Sequence, residues 1–346
     1  MRVFITGVNG FIGSHLAEAI LRETDWEVSG FDLASGNITS LLKEERFTAF
    51  RKGDVFKDGR RIEEQVEWCD VVLPLAGVAK PAIYLKKPIW TYELDFEQNL
   101  RIVRMCSLYD KRLIFPSTSE VYGLCGDGEL KEDESPLVTG PISKMRWIYS
   151  CSKQMMDRMI FAYSQEYGLN FSIFRPFNWV GPRLDTFKDA EAREARAVTQ
   201  MIYDVLHRGR VSLVGGGNQR RSFTWIGDAI EGLMAVIRND GGRAAGEIFN
   251  IGNPFNNCSM REFSVMLIEE MKKFHAFSQQ AEAAKLSDTD AAEHYGETYD
   301  DTDNRVPSVE KIERLLGWRP RTPLRDSLRM TLEWYAKAGK AGAEYL

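Results

Sequence analysis

Along the first half of the chain, short runs of β-branched and aromatic residues alternate with longer stretches whose apolar positions recur at helical spacing. The runs Arg2–Thr6, Glu27–Asp32, Phe47–Lys52, Val71–Leu75, Arg112–Phe115 and Phe171–Arg175 predict strands. The stretches Phe11–Arg22, Tyr92–Tyr109 and Tyr149–Tyr167 predict helices between them. Val71-Val72-Leu73-Pro74-Leu75 is apolar without alternation, as a strand covered on both faces requires. The pattern predicts an α/β fold, a Rossmann-type doubly wound parallel sheet.

After about Pro176 the alternation gives way to glycine-rich and charged segments such as Val214-Gly215-Gly216-Gly217-Asn218. Residues 1–176 are expected to form the nucleotide-binding domain, with some later segments returning to it. Residues 177–346 are expected to form mainly a smaller C-terminal α/β lobe for substrate. Gln279–Arg305 is rich in Ala, Asp and Glu and reads as a long mobile connection. An amphipathic helix is expected over Pro323–Ala338.

Composition narrows the function classes. A formal charge of −5 and a pI near 5.6 argue against nucleic acid, whose phosphates need a basic field. The chain enters a strand at Arg2 with no apolar leader before it, and no apolar run approaches the roughly 18–20 residues of a membrane span. A soluble cytoplasmic protein is therefore expected. The five cysteines are scattered, without metal-ligand spacing, and there are only four histidines. Reduced thiols and no metal site are expected.

Gly7-Val8-Asn9-Gly10-Phe11-Ile12-Gly13 follows the first strand and opens a helix. Glycines there permit a tight turn and close backbone approach to a pyrophosphate at the helix N-terminus. Asp32, at the end of the second strand, is placed to take the adenosine ribose hydroxyls and to repel a 2′-phosphate, so NAD is expected rather than NADP. Asp54, after the third strand, is a candidate for the adenine, and Leu75, closing the fourth strand, is a further cofactor-binding candidate. Tyr149 and Lys153 stand four apart on one helix face. An ammonium there favours phenolate and is expected to bring the tyrosine toward neutrality as a base.

With the glycine turn, Phe115-Pro116-Ser117-Thr118-Ser119-Glu120-Val121-Tyr122-Gly123, the Tyr149/Lys153 pair and Phe174-Arg175-Pro176-Phe177-Asn178-Trp179 in place, nearly the whole chain resembles the extended short-chain dehydrogenase/reductases that modify sugar nucleotides. The resemblance implies that Thr118 holds a substrate hydroxyl beside Tyr149. Dehydratases of this branch carry Asp-Glu after that threonine, and 4-epimerases carry no carboxylate there. Ser119-Glu120 instead resembles the UDP-glucuronic acid decarboxylases. The match extends to the decarboxylase domain of bacterial bifunctional polymyxin-resistance enzymes through Trp147-Ile148-Tyr149, Arg196-Ala197-Val198-Thr199-Gln200, Tyr299 and Arg305-Val306-Pro307. No formyltransferase segment stands in this sequence, so formyl transfer is not expected. Plant UDP-apiose/UDP-xylose synthases share the Arg-Pro-Phe-Asn-Trp stretch but have cysteine in place of Ser119, which leaves them an alternative beside epimerase or dehydratase.

The resemblance implies NAD-dependent oxidation at C4 of UDP-glucuronic acid, then loss of C6 as CO2, giving UDP-4-keto-pentose or, after re-reduction, UDP-xylose. It implies Thr118, Ser119, Glu120, Tyr149, Lys153 and Arg305 as catalytic residues. It places Asn178 and Arg196 near the diphosphate, Tyr299 near the uridine and Tyr84 near the glucuronate carboxylate. A homodimer is expected through a four-helix bundle of Tyr92–Tyr109 and Tyr149–Tyr167. There Phe96, Leu100, Val103, Met156, Met159, Ile160 and Tyr163 recur at helical spacing.

Overall fold

A computed structural model describes residues 1–126, 128–290 and 300–340. Its centre is a seven-stranded parallel sheet in the order Glu247–Ile251, Phe171–Pro176, Arg112–Pro116, Val71–Pro74, Arg2–Thr6, Glu27–Asp32, Phe47–Lys52. The strand order reverses beside the first strand, which puts the glycine turn at the crevice where such sheets bind ligands. The six expected strands form to within a residue. The seventh, Glu247–Ile251, returns from the second half of the chain to pair with Phe171–Pro176.

Both faces of the sheet are covered, as the apolar strands require. Val3 and Ile5 point into a core shared with Leu16, Ile20, Leu233 and Ile237, while Phe4 joins Ile102, Val103, Met156 and Ile160 on the other face. That two-residue alternation sets the helices Phe11–Glu23 and Ile226–Arg238 on one side and Asn99–Leu108 and Trp147–Tyr167 on the other. Each such buried side chain contributes about 1.5–3 kcal/mol through removal of apolar surface from water.

This packing corrects the apolar stripe assigned to a four-helix bundle. Val103, Met156 and Ile160 are fully buried against the chain's own sheet, and Phe96, Leu100 and Tyr163 pack against the same core. The predicted helix Tyr92–Tyr109 forms, and its first turns, Glu93–Gln98, are π-helical before the α-helix Asn99–Leu108.

A four-stranded sheet carries part of the second half, in the order Asn257–Ser259, Arg220–Ser222, Asn304–Pro307, Glu129–Leu130. Lys285–Thr289 pairs in parallel with Arg210–Val214. Where described, the segment expected to be a mobile connection is therefore largely ordered. Its backbone groups are taken up by partner strands from elsewhere in the chain, which composition does not register. Among the described residues, no helix is long and apolar enough to cross a membrane.

Candidate active site

Gly7 adopts φ +71°, and a Cβ there would lie 2.7 Å from Ala76 N and 2.9 Å from Leu75 O. A Cβ on Gly13 would lie 2.3 Å from Gly7 O. Backbone cannot yield at these distances, so both positions demand glycine, and the turn stays open at the N-terminus of Phe11–Glu23 as a dinucleotide needs. Asn9 N donates to Asp32 Oδ2 at 2.9 Å, which fixes the half-buried acid beside the turn. Burial raises the Asp32 carboxyl, and the N–H groups of Asn9, Ala34 and Leu33 oppose that. Gly10 caps the helix, Phe11 is buried, Ile12 packs on the core, and Leu75 N donates to Thr6 O. Asp54 accepts from Phe56 N at 3.0 Å, so one of its oxygens is occupied in its own turn.

Helix Trp147–Tyr167 presents Tyr149 and Lys153 to the end of strand Arg112–Pro116. Lys153 Nζ donates to Pro116 O at 3.0 Å and lies 3.2 Å from Asp95 Oδ1. Lys153 and Asp95 are both buried. The Tyr149 ring stacks on Tyr84 with centroids 4.4 Å apart and planes 9° apart. Thr118 caps the short 3-10 turn Ser119–Tyr122 by accepting from Glu120 N. Burial pushes the Tyr149 hydroxyl well above the ordinary phenol value, Asp95 and Glu120 push it further, and the Thr118 and Tyr84 hydroxyls oppose. Lys153 was expected to bring this phenol toward neutrality, whereas here burial and the two carboxylates set the direction. The ammonium is balanced by Asp95, a residue the sequence reading did not single out.

Next to this pair lies a buried cluster of arginines and carboxylates. Arg305 sits in strand Asn304–Pro307, paired beside Arg221, with its Nη1 3.5 Å from Ser119 Oγ and 3.6 Å from Glu120 Oε1. Arg146 Nη2 donates to the same Glu120 oxygen at 3.2 Å, and its Nη1 donates to Asp301. Arg221 Nη2 donates to Asp301 Oδ1 at 2.6 Å. Burial by itself raises the Glu120 carboxyl, but Arg146 and Arg305 outweigh it and hold Glu120 below the usual carboxylate range. Asp301 is likewise lowered, its burial overcome by Arg146, Arg221 and Arg305. Arg146, Arg221 and Asp301 escaped the sequence reading. Only Arg146, three residues before Tyr149, carried a local signal.

A cavity of about 280 Å³ runs from Glu120, Arg146 and Arg305 past Asn178 to Arg196. Asn178 adopts φ +41° and donates to Ser222 O. Arg196 is held by Asp185, with its guanidinium 5.4 Å over the Phe11 ring, so it borders the glycine turn as well as the cavity. Tyr84 is fully buried against Tyr149, its hydroxyl donating to Val78 O at 3.4 Å. Tyr299 lies outside the described residues.

A doubly wound sheet, an unobstructed glycine turn with an acid at the second strand, and a Tyr/Lys pair at the sheet's C-terminal edge define a nucleotide-dependent oxidoreductase fold. The family model described as "NAD dependent epimerase/dehydratase family" matches residues 3–252. The chain belongs to this family, and its cofactor is NAD. Among solved structures, the PbgP3 protein from Burkholderia pseudomallei is 44% identical, with a TM-score of 0.89 over 100% of this chain and 99% of that one. UDP-glucuronic acid 4-epimerase from Bacillus cereus, solved with UDP-glucuronic acid and NAD, is 24% identical at a TM-score of 0.79, covering 97% and 99%. dTDP-glucose 4,6-dehydratase from Bacillus anthracis is 21% identical at 0.78, covering 98% of each chain. The last two likenesses speak for the fold alone.

Proposed function

We propose that the protein oxidises C4 of UDP-glucuronic acid and releases C6 as CO2. The observation carrying this reading is the cluster at Glu120. Glu120 Oε2 and Arg305 Nε are buried beside the Tyr149 site, and each lacks a hydrogen-bond partner among the described residues. Buried polar groups left open in this way are suited to a ligand. A guanidinium with a free edge beside Ser119 suits a substrate carboxylate through paired hydrogen bonds.

Bound NAD supplies the hydride acceptor for C4. Thr118 holds the C4 hydroxyl, and Tyr149 takes its proton. The resulting ketone is β to the carboxylate. Loss of CO2 leaves the bond's electron pair on C5, delocalised into the C4 carbonyl as an enolate. Tyr149, now protonated, donates to the enolate oxygen. Arg305 and Ser119 orient the carboxylate before cleavage, and Arg305 with Glu120 holds the water that protonates C5, since a guanidinium is a poor acid. Tyr84 keeps the Tyr149 ring in place and faces the same end of the sugar. Asn178 and Arg196 serve the diphosphate, Tyr299 the uridine, and Asp54 the adenine.

Incubation with UDP-glucuronic acid and NAD tests this reading. CO2 release with NADH accumulation gives UDP-4-keto-pentose, and CO2 release without it gives UDP-xylose. A C4 epimer without CO2 overturns decarboxylation. The reading includes a homodimer, supported by Leu108, Met155 and Phe161, which stay exposed on the two outer helices. Sedimentation at micromolar concentration should give a dimer, and Met155→Glu with Phe161→Glu a monomer. A wild-type monomer removes this part.

A further inference from the structure

The ion pair beneath the Tyr149 site joins Lys153, expected to be catalytic, to Asp95, and the mechanism above uses neither. The chain builds a specific place for that carboxylate. In the π-turn Glu93–Gln98, Asn99 Nδ2 donates to both Leu94 O and Asp95 O at 3.2 Å, which stabilises the extra residue that turns Asp95 inward. Val78 N donates to Asp95 Oδ2 at 3.3 Å. A Cβ on Gly77 would lie 2.7 Å from Asp95 Oδ1, so glycine leaves the space in which the carboxylate meets Lys153. That same Oδ1 is 3.2 Å from Nζ, with both side chains at most 4% exposed.

We propose that Asp95 is the counterion of Lys153 and, through it, a positioning residue that keeps the proton on Tyr149 until the cofactor's cationic ring joins the site. Charge count in a dry environment decides the order. With Asp95 ionised and Lys153 protonated, the pair is neutral, and ionising Tyr149 adds a net negative charge at high cost. A cation arriving beside the pair restores balance and makes the phenolate accessible. The groups facing Tyr149 are Asp95 from the π-turn, Glu120 from the turn after Thr118, Tyr84 from its own short helix and Lys153 one turn along. Arg146 and Arg305 lie behind Glu120, and Asp157 lies beyond Lys153. Asp95 is the acid paired directly with the lysine.

This inference rests on Tyr149 being the base, and it is tested without substrate or cofactor. Tyrosine labelled with carbon-13 at Cζ, assigned with Tyr149→Phe, reports the ionisation of Tyr149 by NMR as pH is raised. Asp95→Asn should bring the Tyr149 phenolate in at least about one pH unit below wild type, a tenfold fall in proton affinity. Asp95→Glu should restore the wild-type value, and Lys153→Met should move ionisation the other way. Gly77→Ala, which crowds the carboxylate away from Nζ, should shift it in the same direction as Asp95→Asn and serves if that variant does not fold. A Tyr149 that stays protonated to the same pH in wild type and in both Asp95→Asn and Gly77→Ala overturns the proposal. A purely structural Asp95 moves the melting temperature but not this titration. Absence of CO2 release would sink decarboxylation and leave this result standing.

Discussion

Arg305 reaches Ser119 across 186 positions of sequence, with its Nη1 3.5 Å from the serine hydroxyl. The contact exists because Asn304–Pro307 is a strand lying between Arg220–Ser222 and Glu129–Leu130. The arginine is thus held by a sheet, with its Nη1 at Ser119 and Glu120 before any ligand arrives.

Removing either end of this arrangement should block CO2 release while sparing the cofactor. Arg305→Met keeps the volume of the stem and loses the charge proposed to face the substrate carboxylate. Glu120→Gln keeps the shape and the contact with Arg146. Each should lower CO2 release about 100-fold or more, the loss of a charged hydrogen bond and its orientation in a dry site. NAD affinity, measured by fluorescence quenching, should change less than about threefold, because the glycine turn lies on other elements. Near-wild-type CO2 release from Arg305→Met would return that residue to a structural role.

Asp32 should set cofactor choice. Its carboxylate is fixed by Asn9 N at 2.9 Å, and as the proposed ribose ligand it would meet an extra phosphate on the adenosine ribose. Asp32→Ala should narrow the ratio of NAD to NADP affinity by about tenfold or more, since like-charge repulsion at short range is removed. An unchanged ratio assigns ribose recognition to another group.

His15 predicts an acid sensitivity independent of catalysis. Burial, then the nearby Arg183 guanidinium, lower it from 6.5 to about 4, while its ring meets Phe11 edge-on at 5.3 Å. A folded value below the unfolded one means that the unfolded chain binds the extra proton first. The stability is therefore full above about pH 6.5 and falls as pH drops toward 4. Between pH 7 and pH 5 this histidine should cost about 2 kcal/mol. His15→Gln should flatten that part of the melting-temperature profile, and a profile parallel to wild type would remove His15 as its source.

What could be read from sequence was local. Gly7, Gly10, Gly13 and Asp32 lie within one strand–turn–helix–strand unit, where spacing encodes geometry. Tyr149 and Lys153 share a helix face. The remainder depended on pairings between distant strands. Arg221 stands beside Arg305 only because Arg220–Ser222 and Asn304–Pro307 run side by side, and no periodicity announces that register. Asp95 turns inward through a π-turn whose sequence reads as ordinary helix. The apolar stripe over Val103, Met156 and Ile160 was legible as a stripe, but periodicity does not say whether a sheet or a second copy covers it.

Tyr149→Phe is the substitution that separates binding from chemistry. The ring packs flat against Tyr84 at 4.4 Å, and that contact is indifferent to the hydroxyl. Lys153 keeps its hydrogen bond to Pro116 O and its contact with Asp95, because neither passes through Tyr149. The melting temperature and NAD affinity should therefore stay near wild type. What disappears is the oxygen proposed to accept the C4 proton, and loss of a positioned general base should cost about 10²–10⁴-fold in substrate-dependent NADH formation. Because the proposed oxidation at C4 precedes CO2 loss, CO2 release should fall by the same factor. Thr118→Ala should reduce both rates less, since it orients the hydroxyl without taking its proton. If Tyr149→Phe retained NADH formation within tenfold of wild type, the base would have to be sought elsewhere in the Glu120 cluster.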